Sequence, residues 1–328
     1  MGNKKVKNFY IQWHITDRCN LKCKHCYVKN EKNDLKFSEL KQGIKNILTP
    51  VSNWVDEIEI CISGGEPFLS PHLYKIIQYL KKWKKIKKIM FTSNGTIINL
   101  ALLKKIKKDI YDIQISLEGG EKLNDYIRGN GVYELIQKNI PVFKALNWKV
   151  GINMTIHKLN YEEIPSVVDF CLKNKVDIFS ITRFVPCTQD DSTNKLLLSK
   201  KKIEEIYCST FKLSQKYKKL IFSFNRTLWN IVNSNIGRSC SAGINGIAIL
   251  SDGTILPCRR LEIPLGNFLN NDFVDIWLNS KIIQDLRNRK NIKECSSCEK
   301  LENCAGCRAI AYAVNKDYLS QDPQCFKI

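Results

Sequence analysis

Short apolar runs alternating with amphipathic stretches fill the first two-thirds of the chain. Runs rich in Ile, Val and Phe at residues 10–16, 57–63, 88–92, 112–117, 149–156 and 178–185 each stop at polar or glycine-bearing positions, which predicts strands. Between them, apolar residues recur at helical spacing over residues 38–48, 70–82, 100–108, 133–146 and 161–174. Ser70-Pro71 reads as a helix start, with serine as cap and proline at the first helical position. Six β-α repeats at this pitch predict parallel strands with right-handed crossovers, in an open sheet or a barrel. In such folds the chemistry gathers at the carboxyl ends of the strands.

The alternation stops after Val185-Pro186. Residues 188–193 read as a polar loop and 196–217 as one or two helices. From Ser239 onward cysteine, glycine and short strands dominate, with a helix over 273–289. The expected division is a core at 1–190, a helical linker at 191–238 and a small cysteine-rich unit at 239–328.

Composition narrows the class. With 328 residues, 44% of them hydrophobic and 10% aromatic, the chain suits one large or two ordinary globular domains. It has no signal-type N-terminus and no apolar run of about 18 residues, so the expectation is a soluble, cytoplasmic protein with no membrane partner. Fourteen cysteines without an export signal argue against a disulfide framework. Seven fall between Cys240 and Cys325 and three between Cys19 and Cys26, and that clustering points to metal. The net charge of +20 suggests an acidic partner: nucleic acid, an acidic peptide or a carboxylate-rich small molecule. No RNA-binding signature accompanies it, so nucleic acid is the weakest of the three. The densest basic run, residues 81–88, reads as the wet end of a helix running into the next strand.

Cys19, Cys23 and Cys26 stand at C-x3-C-x2-C spacing directly after the first predicted strand, with Tyr27 next. A short loop with three thiols can wrap three irons of a [4Fe–4S] cube and leave the fourth without a protein ligand. The same cysteines with His25 would also serve a zinc site, or be buried as small hydrophobes. After the second strand comes Ser63-Gly64-Gly65-Glu66-Pro67, which alone is a turn. Together, the cysteine loop and Gly-Gly-Glu-Pro about forty residues later resemble the radical S-adenosylmethionine (SAM) enzymes. That resemblance implies a partial (β/α)6 barrel of TIM type, open on one side. It implies that a [4Fe–4S] cluster on Cys19, Cys23 and Cys26 binds SAM and cleaves it to methionine and a 5′-deoxyadenosyl radical. Gly64, Gly65, Glu66 and Pro67 match the motif that grips the SAM amino group. The strand ends Thr92-Ser93-Asn94-Gly95 and Ser116-Leu117-Glu118-Gly119 resemble further SAM contacts, with glutamate at 118 where relatives often carry aspartate. Ser116 is carried as a contact, and Arg128 as a partner for the SAM carboxylate, against a surface salt bridge as the alternative.

The second constellation is Cys240, Cys258, Cys295-x2-Cys298, Cys304-x2-Cys307 and, after Asp322-Pro323-Gln324, Cys325. Pairs of this kind also build zinc ribbons, but seven thiols cannot fill two closed tetrahedral sites. The array resembles the SPASM extension of radical SAM enzymes, which holds auxiliary iron–sulfur clusters. By that resemblance Cys295, Cys298, Cys304 and Cys325 close one cluster, and Cys240, Cys258 and Cys307 hold a second with one iron open. Of the remaining cysteines, Cys171 and Cys208 read as buried, while Cys187, just past the sixth strand, is a candidate hydrogen-atom donor.

Three functions follow. The first is maturation of a ribosomally made peptide by crosslinking, epimerisation or oxidation, with an acidic leader meeting the basic surface and a flavodoxin- or ferredoxin-type electron donor. The short stretch before the first strand leaves no room for a leader-binding domain, which counts against it. The second is modification of a tetrapyrrole in haem or haem d1 synthesis, because the stretch from Cys307 to Tyr312 and the Asp-Pro-Gln-Cys ending resemble such enzymes. A sulfatase-maturase role fits less well, since Arg259 follows Cys258 where those enzymes carry aspartate. The third, from another class, is a zinc-bearing nucleic-acid-binding protein, which leaves Gly-Gly-Glu-Pro unexplained.

Overall fold

A computed structural model describes residues 7–28, 34–186 and 191–327, with only the backbone for 191 and 192. Six strands follow the predicted order: β1 (Asn8–His14), β2 (Glu57–Ser63), β3 (Ile86–Ser93), β4 (Asp112–Ser116), β5 (Lys149–Ile156) and β6 (Ile178–Arg183). Four short ones follow: β7 (Ile221–Phe222), β8 (Gly246–Ile249), β9 (Thr254–Leu256) and β10 (Gly266–Asn267). All ten form one sheet in the order β10-β9-β8-β1-β2-β3-β4-β5-β6-β7. Every neighbouring pair from β8 through β7 is parallel, and only β8-β9 and β9-β10 are antiparallel. The sheet is open, with β7 and β10 at its edges. This is a mixed α/β fold in which the cysteine-rich segment adds strands directly beside β1, with Tyr10 opposite Gly246.

Along the core strands one face is mostly buried and the other is in part half-buried. In β1, Phe9, Ile11 and Trp13 are buried while Asn8, Tyr10 and Gln12 are not. In β4, Ile113 and Ile115 are buried while Asp112, Gln114 and Ser116 are half-exposed. A parallel sheet covered on both faces would be apolar throughout. The polar alternate positions show that the inner face lines a cavity.

The apolar face packs under the crossover helices and under the C-terminal segment. Trp13 meets the Phe268 ring edge-on at 6.5 Å, and Phe9 meets Trp277 at 5.0 Å. Phe268 is fully buried, a contribution of about 2–3 kcal/mol. The hairpin before it turns at Gly253, whose φ of +85° suits glycine and whose Cβ would lie 2.4 Å from the Phe268 ring.

Three local expectations need correction, and one helix went unread. Ser70-Pro71 does not start the helix, which runs Leu73–Leu80. The chain instead makes a 3-10 turn at Pro67–Leu69, and the Ser70 hydroxyl accepts from the His72 amide at 3.3 Å, a serine turn one step before the helix. The 273–289 helix is two helices, Phe273–Asn279 and Lys281–Arg287, broken at Ser280, whose ψ of 122° is not helical. The first strand begins and ends two residues earlier than its apolar run, because Ile15 and Thr16 lead into the cysteine loop. A helix at Glu121–Arg128, too polar for its pattern to be read, places Arg128 in its last turn. Among the described residues no helix is long and apolar enough to cross a membrane.

Candidate functional site

The cysteine loop is sewn to the Gly-Gly-Glu-Pro segment by backbone hydrogen bonds. The Ile15 amide donates to Ser63 O at 3.0 Å, Gly65 to Thr16 O at 2.9 Å and Glu66 to Arg18 O at 2.7 Å. Contact this close excludes side chains. A Cβ on Gly64 would lie 2.2 Å from Thr16 O, and one on Gly65 2.4 Å from Arg18 O. Gly64 also has φ +149°, a region that L side chains rarely adopt. Gly64→Ala is therefore expected to cost on the order of 2 kcal/mol and to displace the loop, read as a lowered melting temperature and reduced iron uptake.

Glu66 is completely buried and pins the end of β3: its carboxylate accepts from the Asn94 amide at 2.8 Å and from the Ser93 hydroxyl at 3.0 Å. Burial pushes its pKa up to about 7, against the pull of those donors. Asn94 Nδ2 in turn donates to Asn20 Oδ1 at 2.8 Å and approaches Cys19 Sγ at 3.9 Å. From the other side, the Lys24 amide donates to Ile127 O at 2.9 Å.

Within this frame Cys19, Cys23 and Cys26 lie close enough to influence one another, and burial raises the pKa of each. The Leu21 amide donates to Cys19 Sγ and the Val28 amide to Cys26 Sγ, both at 3.4 Å. Beside them, Glu118 is buried and takes Arg128 Nη1 at 3.1 Å and the Thr155 amide at 2.9 Å. Arg128 is thus in a buried pair, not on the surface, with Nε left unpartnered. His25 Nε2 lies 3.6 Å from Glu118, yet burial and the Arg128 charge lower its pKa to about 3 and keep the ring neutral. Ser116 ends β4 opposite Asn153, half-exposed. Pro67 is buried at the start of its 3-10 turn.

The C-terminal cysteines fall into two groups. Cys295, Cys298, Cys304 and Cys325 line one narrow gap with Leu228, Ile231 and Leu301. The Gly306 amide donates to Cys304 Sγ at 3.5 Å. Cys240, Cys258 and Cys307 line a different and much larger cavity. Burial pushes the Cys240 thiol up to about 11, with Cys307 and Cys258 adding and Arg308 opposing. The groups are joined by the Cys240 amide donating to Cys304 O at 3.3 Å. Among the described residues no three His, Cys, Asp or Glu side chains gather tightly enough to hold a single metal ion.

The larger cavity, about 880 Å³, is where the halves of the chain meet. Its barrel wall is the inner sheet face, with Tyr10, Cys61, Thr92, Gln114 and Ser180, and its other wall carries the three thiols with Arg226, Arg260 and Arg308. Cys61 is buried against the Thr92 hydroxyl at 3.3 Å. Cys171 is buried and Cys208 half-buried, while Cys187 lies outside the described residues.

Three features were absent from the sequence reading. Arg183, at the end of β6, holds Asp322 through both carboxylate oxygens at 3.0 and 2.7 Å, and also reaches Gln324 and Thr227. Arg259 lies 4.1 Å over the ring of Tyr27, so the residue after Cys26 touches the residue after Cys258. His14 is buried nearby with both ring nitrogens unpartnered, held neutral by burial and by the Arg259 charge. A lone arginine or histidine at a strand end carries no local pattern. The cavity face did leave a signal, the period-2 polar residues within the apolar strands.

The radical SAM superfamily model matches residues 13–171, and the SPASM model, an iron–sulfur cluster-binding domain, matches residues 240–307. The chain belongs to the radical SAM superfamily. It is a radical SAM enzyme with a SPASM domain, and its cofactors are SAM and iron–sulfur clusters. Among curated relatives, this radical SAM chain is 25% identical over 341 residues to the AdoMet-dependent heme synthase of Methanosarcina barkeri, spanning 96% of this chain and 95% of that protein. It is 27% identical over 303 residues to the antilisterial bacteriocin subtilosin biosynthesis protein AlbA of Bacillus subtilis, spanning 87% and 62%. Its fold is similar to Streptococcus suis SuiB bound to precursor peptide SuiA, with TM-score 0.71, 22% identity and coverage of 92% and 72%. It is also similar to anSMEcpe with bound AdoMet and a peptide, with TM-score 0.78, 17% identity and coverage of 97% and 94%.

Proposed function

We propose that this enzyme removes a hydrogen atom from a compact, carboxylate-rich substrate of tetrapyrrole type, held in the cavity between the barrel and the SPASM half. The observation that carries this reading is the cavity itself. Its 880 Å³ falls within the range of compact-ligand sites, and Arg226, Arg260 and Arg308 line it together with Cys240, Cys258 and Cys307. Arg226 is exposed and lines the cavity, and among the described residues its side chain makes one long hydrogen bond, to Asn225 O at 3.4 Å, which leaves most of its fork for a propionate. The end-to-end match to a heme synthase supports the same class.

In this reading Cys19, Cys23 and Cys26 hold the SAM cluster, Cys295, Cys298, Cys304 and Cys325 one auxiliary cluster, and Cys240, Cys258 and Cys307 another with a position left for a non-cysteine ligand. The residues present fit those groups. Amide donors point at Cys19, Cys26 and Cys304 sulfurs, which suits thiolate ligands, and the glycine cradle at 64–65 leaves no room for anything but backbone beside the loop. A cluster held by Cys19, Cys23 and Cys26 would supply the electron for reductive cleavage of SAM, and with it the power to remove a hydrogen atom from the substrate. The chain orients that chemistry: Glu118 and Arg128 form a fixed charge pair beside the cysteine loop, and the Tyr27–Arg259 contact ties the loop to the SPASM half.

A second reading is maturation of an acidic ribosomal peptide. It is favoured by the similarity to AlbA and by the peptide-bound structures that share the fold. The deciding experiment is to expose anaerobically reconstituted protein to an extract of its source and identify the retained molecule by mass spectrometry. A porphyrin-like species upholds the first reading, and a short acidic peptide replaces it with the second. With an iron porphyrin carrying four propionates as probe, Arg226→Gln is expected to weaken binding by roughly tenfold to a hundredfold in an absorbance titration, the worth of a charge-assisted hydrogen bond.

A further inference from the structure

Arg308 has an environment that the fold does not by itself account for. It opens the helix Arg308–Asn315 directly after Cys307, and only 2% of it is exposed. Nη1 donates to two carbonyls, Tyr318 O at 2.9 Å and Ser320 O at 2.6 Å, which fixes the guanidinium in place. Nε and Nη2 are buried with no acceptor among the described residues. No carboxylate among those residues forms an ion pair with it; the neighbouring buried arginine, Arg183, has Asp322. Gly306, with φ +57°, makes room for the fork, since a Cβ there would lie 2.7 Å from Arg308 Nη2. Arg308 also lines the cavity beside Cys240, Cys258 and Cys307, and its charge bears on the Cys240 thiol and on Cys295 of the other group.

A buried guanidinium costs several kcal/mol unless an anion and acceptors compensate it. An iron–sulfur cluster with three thiolate ligands carries net negative charge and presents sulfide and thiolate acceptors. We propose that Arg308 is a positioning residue for the auxiliary cluster on Cys240, Cys258 and Cys307, giving it two N–H donors and a fixed positive charge that raises its reduction potential. Net charge and hydrogen bonds to sulfur are the two levers by which a protein sets that potential. The inference rests on those three cysteines being cluster ligands, as proposed above.

The test uses the full-length, anaerobically reconstituted enzyme and reads each cluster's potential by redox titration with electron paramagnetic resonance. In Arg308→Gln the auxiliary potential is expected to move negative at full iron content, while the SAM-cluster potential stays put. Arg308→Lys, which keeps the charge, is expected to recover most of the shift. In protein labelled with 15N-arginine, electron–nuclear double resonance on the reduced auxiliary signal is expected to show an arginine nitrogen coupling that persists in Arg226→Gln and in Arg260→Gln, the two other arginines that line the cavity. That measurement stands even if Arg308→Gln fails to hold its iron. An unmoved potential in Arg308→Gln, or no arginine coupling in the wild type, overturns the proposal. If Cys240→Ala loses no iron, the underlying ligand reading has failed instead.

Discussion

Cys23→Ala is expected to abolish the reductive cleavage of SAM to 5′-deoxyadenosine while leaving the fold intact. Cys23 lies between Cys19 and Cys26 in a loop whose backbone is already held by Ser63, Gly65, Glu66 and Ile127, so removing one half-buried thiol leaves that frame standing. On the proposed assignment the cluster has three protein ligands, and the described part of that loop offers no fourth cysteine to replace one. Iron should fall by about four per chain, the content of one cube, with the melting temperature of the apoprotein little changed. Cys295→Ala should remove a different set of irons and leave SAM cleavage measurable. If Cys23→Ala keeps wild-type iron and still yields 5′-deoxyadenosine, the assignment of the loop is wrong. The two variants together separate the SAM cluster from the auxiliary ones, which total iron alone does not.

The contrast between local and distant signals explains what could be read from the chain beforehand. The cysteine loop, Gly-Gly-Glu-Pro and the C-terminal array are written in contiguous spacings, so their chemistry was legible without a fold. Strands β1 to β6 were legible because each is a run of at least five residues with an apolar face. β7 and β10 have two residues each and β9 three, too few for any periodicity, and their place in the sheet depends on partners far away in sequence. Arg128 was read as a partner for the SAM carboxylate with a surface salt bridge as the alternative, and its burial was not legible because the Glu121–Arg128 helix is polar almost throughout and its partner, Glu118, lies ten residues upstream. The inner wall of the cavity was visible in principle. Asn8, Tyr10 and Gln12 on β1, and Asp112, Gln114 and Ser116 on β4, are polar at every second position, a pattern that an all-apolar parallel strand would not show.

Arg183→Met is the substitution expected to cost the most stability. Arg183, at the end of β6, grips the C-terminal tail through two hydrogen bonds to Asp322 and one to Gln324, with a further bond to Thr227. The pair is almost completely buried, with side chains 4% and 1% exposed. Asp322 also accepts from the Cys307 amide at 2.7 Å, and Gln324 Nε2 donates to Leu198 O at 2.9 Å, so the same clamp sets the backbone of one cysteine and anchors the segment carrying another. Removing one partner strands the other as a buried charge, at a cost of about 3–5 kcal/mol. The expected result is a large drop in the unfolding midpoint, with auxiliary iron lost before SAM-cluster iron on mild heating. Arg183→Met with Asp322→Leu should recover part of the stability, since an apolar pair of similar volume leaves no charge unpaired, but not the hydrogen bond to Cys307. The pH dependence has a definite sign. Although burial opposes it, the Arg183 charge and its hydrogen bonds hold the Asp322 carboxyl below the usual carboxylate range. The clamp's contribution is therefore present above the ordinary aspartate pKa of about 3.9 and is lost as pH falls beneath it. Wild-type stability should decline through that acid range more steeply than that of the double variant. Parallel acid profiles for the two proteins would mean that the clamp is not what ties the SPASM half to β6.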